Sequence, residues 1–129
     1  MEIAFTDREL DVMAVLWQRG SGTVAEVRDA LHDDFAYTTV LTVLRTLQEK
    51  GYVRPEAEGR AHRYYPAVSQ GAAGKSALSR VLDKIFSGSP ELLLTQLVSD
   101  RDIAPEELSR LRELLDEKLE TARKRRRRR

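Results

Sequence analysis

The sequence predicts a mainly α fold with a small β-hairpin: three short helices and the hairpin first, a three-helix region after it. Three observations predict this. Apolar residues recur at helical spacing over most of the chain, with capping residues at the expected ends. The period shortens to that of a strand only between Tyr52 and Tyr65, around the turn residues Glu58-Gly59. Beyond Pro66 the pattern is wholly helical and rich in leucine.

Thr6-Asp7-Arg8-Glu9 reads as a capping box. The threonine hydroxyl takes a free N–H, and the glutamate three residues later reaches back. Leu10, Met13, Leu16 and Trp17 follow at helical spacing and Gly20 is the stop, which predicts a helix over about 7–19. Ser21-Gly22 turns the chain. Thr23-Val24-Ala25-Glu26 is a second capping box, opening a short helix with Val24, Val27 and Leu31 on one face and Asp33-Asp34 at its end. A third helix spans about 37–50, before Gly51. Tyr52-Val53-Arg54 and Arg60-Ala61-His62-Arg63-Tyr64-Tyr65 are the hairpin strands, and Pro55 marks the first as an edge or irregular strand. Three helices followed by a hairpin are the layout of a winged helix-turn-helix.

Ser69 is placed to cap a helix reaching about Phe86, with Leu78, Val81, Leu82 and Ile85 as its stripe. Gly88-Ser89-Pro90 reads as stop, N-cap and first-turn proline. Leu92, Leu93, Leu94, Leu97 and Val98 mark the next helix, and Pro105-Glu106-Glu107 opens a last one carrying Leu108, Leu111, Leu115 and Leu119. The expected division is 1–67 as a winged-helix DNA-binding domain, 68–122 as a helical dimerisation domain and 123–129 as a disordered basic tail.

Composition narrows the chemistry. The chain of 129 residues has no cysteine, which excludes disulfides, thiolate metal sites and cysteine nucleophiles. No apolar run is long enough for a membrane span, so no membrane insertion is expected, and residues 1–7 lack the pattern of a signal peptide. A cytoplasmic location is the expectation. The formal net charge of +1 conceals an asymmetry: residues 1–122 carry −6 and residues 123–129 carry +7. His32 and His62 lie on different elements, and no serine sits in a nucleophile elbow. Catalysis and a bound cofactor or metal are not expected.

The third helix carries the functional signal. Val40, Val43, Leu44 and Leu47 share one face, and Thr38, Thr42, Arg45, Thr46 and Glu49 the other. Threonine is a poor choice for a merely solvated helix face, because β-branching costs helix stability. In the major groove its hydroxyl meets a phosphate or base edge and its methyl meets thymine, while Arg45 can grip guanine or phosphate. The hairpin adds Arg54, Arg60, His62 and Arg63, with Arg60 beside the turn the best placed to reach the backbone or minor groove. Residues 36–65 are locally +2 and residues 1–35 locally −5.

The chain resembles the penicillinase-repressor (BlaI/MecI) family of winged-helix transcriptional repressors. The matching stretches include Glu9-Leu10-Asp11-Val12-Met13 with Leu16-Trp17, Thr23-Val24-Ala25-Glu26-Val27, and Tyr37-Thr38-Thr39-Val40-Leu41-Thr42-Val43-Leu44. Lys50-Gly51, Gly59-Arg60-Ala61 and Tyr64-Tyr65-Pro66 follow, then Phe86-Ser87-Gly88-Ser89 and Glu106-Glu107-Leu108. The resemblance covers about residues 6–119. It implies a homodimer that binds double-stranded DNA at a palindromic operator and blocks transcription, with the third helix in the major groove and the C-terminal helices in the dimer. It permits control of β-lactam-response genes and an inactivating protease as a further partner. Where the family commonly has Arg, this chain has Thr46, and the Arg-rich tail is a second departure. Copper-sensing relatives carry C-terminal cysteine motifs that are absent here.

The expected DNA-contacting residues are thus Thr38, Thr39, Thr42, Arg45, Thr46, Arg60 and Arg63. The expected dimerisation residues are Leu78, Leu82, Leu93, Leu97, Leu108, Leu111 and Leu115, because so small a helical unit hardly encloses a core alone. The alternative is a winged-helix protein–protein adaptor with a basic membrane- or RNA-binding tail. Interface centres favour aromatics over threonine, which speaks against it.

Overall fold

In a computed structural model, which describes residues 3–32 and 34–128, the elements run α1 (Asp7–Arg19), β1 (Gly22–Thr23), α2 (Val24–Ala30), α3 (Tyr37–Glu49), β2 (Val53–Glu58), β3 (Ala61–Pro66), α4 (Gln70–Ile85), α5 (Pro90–Asp100) and α6 (Pro105–Arg127). Asp33, expected at the end of the second helix, and Arg129 of the tail lie outside the described residues. The chain forms two compact units, one reaching to Val81 and the other starting at Leu82.

Both capping boxes form. The Glu9 N–H donates to the Thr6 hydroxyl (3.2 Å) and the Thr6 N–H to the Glu9 carboxylate (2.8 Å). Glu26 and Thr23 repeat the arrangement at α2. The apolar stripes meet in one core. Val12, Met13, Leu16, Val27, Val40, Leu44 and Leu47 are its fully buried side chains, each contributing about 1.5–3 kcal/mol of burial. Leu10, expected in the α1 stripe, is exposed, and Glu9 takes a buried place on the face of Val12, Met13 and Leu16 instead.

The sheet is three-stranded and antiparallel, in the order β1-β3-β2. The sequence pattern contained no signal for β1, whose two residues pair Gly22 with Tyr64 and Thr23 with Arg63. Space is tight at Gly22: a Cβ would stand 3.0 Å from Val27 Cγ2, which would have to give way by a few tenths of an ångström. β2 is an edge strand and tolerates Pro55, opposite Tyr64. Glu58 pairs with Ala61 across the two-residue loop Gly59-Arg60, and Gly59 has φ 61°. Positive φ at the first loop residue is the requirement of a type II′ hairpin turn, which glycine meets without strain. Arg60 therefore stands in the wing tip rather than in the returning strand.

The first compact unit extends past residue 67 into α4. Ala73 is buried in the N-terminal unit, the Ile3 N–H donates to Ser76 Oγ (3.0 Å), and Trp17 Nε1–H donates to the Val68 carbonyl (2.9 Å). The first half of α4 is thus anchored by the N-terminal segment, a partner 73 residues away that local pattern does not reveal.

In the second unit Ser89 caps α5, accepting from the Leu92 N–H at 3.2 Å with Pro90 in the first turn. No residue of α5 or α6 is buried among the described residues. α6 continues to Arg127, so residues 123–127 of the tail expected to be disordered are helical here. Arg and Lys are good helix formers, and cations at a helix C-terminus complement the macrodipole, as Glu106 and Glu107 do at its start. Among the described residues no helix is long and apolar enough to cross a membrane.

Candidate nucleic-acid interface

α3 carries its sequence face as expected. Val40, Leu44 and Leu47 are buried; Thr38, Thr42, Arg45 and Glu49 are exposed; Thr39, Val43 and Thr46 are half-buried. The Thr42 hydroxyl donates to the Thr38 carbonyl (2.9 Å) and the Thr46 hydroxyl to the Thr42 carbonyl (3.0 Å). These back-bonds use the hydroxyl protons of Thr42 and Thr46 and leave their oxygens only lone pairs to offer. Thr42 and Thr46 are in this state acceptors, suited to base amino groups such as adenine N6 or cytosine N4.

The start of α3 differs from the other helices. Thr6, Thr23, Ser69 and Ser89 cap α1, α2, α4 and α5, and α6 opens on Glu106 and Glu107. Among the described residues α3 alone has neither a side-chain cap, its N-cap being Ala36, nor an acid in its first turn. Its leading N–H groups and the positive end of its dipole are left to solvent or to an anion.

Charge on this face is sorted by ion pairing. Of the five basic residues between 36 and 65, three are neutralised. The Lys50 ammonium sits 2.8 Å from the Glu9 carboxylate, Arg54 pairs with Glu56, and Arg63 pairs with both Glu26 (2.9 Å) and Glu58 (3.0 Å). Arg45 and Arg60 are exposed, with no ion pair among the described residues. Arg63, one of the expected DNA contacts, acts as a clamp within the chain. Its guanidinium joins Glu58 on β2 to Glu26 and Ser21 before and within α2, fixing the wing against the helical core. Hydrogen bonds from Arg63 hold the Glu58 and Glu26 carboxyls below their usual pKa, and the two carboxylates push Arg63 above its own.

Glu9 shows a role the sequence reading missed. Its carboxylate closes the α1 cap and also accepts two hydrogen bonds from Lys50, directly after α3. Burial alone would raise its pKa, but Lys50 and the Thr6 N–H outweigh that and bring it below the usual value. The pair ties the start of α1 to the end of the candidate recognition helix. The available signal was Glu9's place in the apolar stripe; its partner 41 residues away was not legible.

The penicillinase repressor profile matches residues 5–117. The chain belongs to the penicillinase repressor family. Relatives of this penicillinase repressor homologue include the penicillinase repressor of Bacillus licheniformis, 25% identical over 114 residues, 87% of this chain and 89% of that one. The transcriptional regulator BlaI of Mycobacterium tuberculosis is 48% identical over 63 residues, 46% of each chain. Among solved structures, a MarR family protein from Bacillus stearothermophilus superposes with a TM-score of 0.55 at 14% identity, over 93% of this chain and 76% of that one. That likeness shows the shared winged-helix fold. Family and fold are those of DNA-binding transcriptional repressors rather than enzymes.

Proposed function

We propose that this chain acts as a dimeric repressor that recognises a palindromic operator in duplex DNA. The carrying observation is the pair of cations without an ion pair among the described residues, Arg45 on the outer face of α3 and Arg60 at the wing tip, while Lys50, Arg54 and Arg63 are all paired. Thr38, Thr39, Thr42 and Thr46 line α3 beside Arg45, and the uncapped N-terminus suits a backbone phosphate. In this reading α3 lies in the major groove and Arg60 reaches the adjoining backbone or minor groove.

The dimer is argued from the second unit. Leu97, Leu108 and Leu115 are exposed on it, Leu82, Leu93 and Leu111 are half-buried, and Leu78 is exposed on α4. Such apolar stripes need a partner, and a second copy provides the symmetry that a palindrome requires. The names of relatives, penicillinase repressor and methicillin resistance regulatory protein, support β-lactam-response genes as the regulated class. An inactivating protease would then relieve repression, which a shortened chain in β-lactam-treated cells would reveal.

Selection of bound fragments from a random DNA pool tests the central reading. A two-fold symmetric consensus is expected. Enrichment of an unsymmetric site, or of none, would overturn it.

A further inference from the structure

The family match ends at residue 117, but α6 continues for ten residues to Arg127. Residues 123–128 are six consecutive cations, all exposed, and no ion pair among the described residues neutralises them. We propose that this helical end of α6 is a second, sequence-independent contact for the phosphate backbone of duplex DNA. The proposal rests on the reading of the chain as a DNA-binding repressor.

Geometry and composition favour this partner. An α-helix rises about 1.5 Å per residue, so the segment carries about one positive charge per 1.5 Å of axis. Duplex DNA carries one negative charge per about 1.7 Å of its own axis. The two linear charge densities are nearly matched and opposite. Six successive residues spread around the whole helix circumference, so guanidinium groups project on every side. That gives no fixed arrangement for reading bases, but many bidentate grips on phosphates in any rotation. A helix that settles on a lipid surface instead needs an apolar face. Between Thr121 and Arg128 the only apolar residue is Ala122, so an anionic membrane is the poorer fit.

The rest of the molecule makes such a contact useful. Residues 1–122 carry −6, a net charge that opposes the long-range approach of DNA. A tethered cationic helix reverses that and raises the local concentration of duplex around α3 and the wing.

The test uses the full-length protein with Arg123, Lys124, Arg125, Arg126, Arg127 and Arg128 all changed to Gln, which keeps helix propensity. Binding to the selected operator and to a random-sequence duplex is measured across a salt series. Both affinities should fall by about tenfold or more at low salt, with the preference for the operator kept. The slope of log affinity against log salt should become shallower by about 3, at about 0.9 for each phosphate that the protein no longer neutralises. A companion with Lys at every Arg of the segment should keep the wild-type slope. Unchanged random-duplex affinity and slope in the Gln protein would overturn the proposal while leaving operator recognition standing. So would a Gln protein whose only loss is binding to phosphatidylserine vesicles. Absence of any DNA binding by the unaltered protein would overturn the underlying reading instead.

Discussion

At Arg63 the chemistry of a nucleic-acid contact and of a structural clamp are the same until partners are counted. A guanidinium beside a hairpin turn suits either role, and the positions of Glu26 and Glu58 provide the clamp. Arg63→Ala is expected to lower the thermal midpoint and loosen the wing, with a smaller effect on operator affinity than Arg60→Ala, which should leave the midpoint unchanged. Thermal unfolding and DNA titration of the two variants check this. Glu9 gives a pH prediction. Its folded pKa lies below its ordinary value of 4.5, so the carboxylate's contribution is fully present above that pH. It is lost as pH falls through the lower, folded value, because protonation removes the acceptor for Lys50. Glu9→Gln should therefore destabilise the protein at neutral pH and flatten the acid limb of its stability curve, as denaturant melts between neutrality and pH 3 would show. Capping was legible at this residue, since Thr6 lies three positions away. The link to Lys50 was not, because it depends on how α1 and α3 pack.

Among the elements, α3 was the most legible. Its core face follows from the helical period, and the packing agrees at Val40, Leu44 and Leu47. Leu44→Ala should cost about 2–5 kcal/mol, measured by chemical denaturation, since the side chain is fully buried. Thr42→Val keeps shape and removes the hydroxyl oxygen of an exposed side chain. It should cost about 1 kcal/mol at the selected operator and nothing on random duplex. Two elements escaped the sequence pattern for different reasons. β1 is two residues long and exists only because β3 lies beside it. The end of α6 has no apolar periodicity to mark it, and a run of like charges reads as a tail unless helix propensity and the macrodipole are weighed as well.

At the scale of the molecule, order along the chain was readable but the division was not. The helix–helix–helix–hairpin sequence specified the first unit, while the anchoring of α4 through Ser76 and Ala73, which extends that compact unit to Val81, has no local signal. The exposed and half-buried leucines of the second unit predict that Leu111→Asp or Leu115→Asp yields a monomer, by placing a charge in a shared apolar interface at a cost of several kcal/mol. Sedimentation of the variant should show one chain with helical content retained, and palindrome binding should fall to that of a half-site. The central claim, that DNA is read by the outer face of α3, is tested most directly by titrating Arg45→Ala protein against the operator recovered by selection. A weakening of about 1–3 kcal/mol on that duplex, with random-duplex affinity and thermal midpoint held close to wild type, is the predicted result. Wild-type affinity and an unchanged consensus in Arg45→Ala would contradict it.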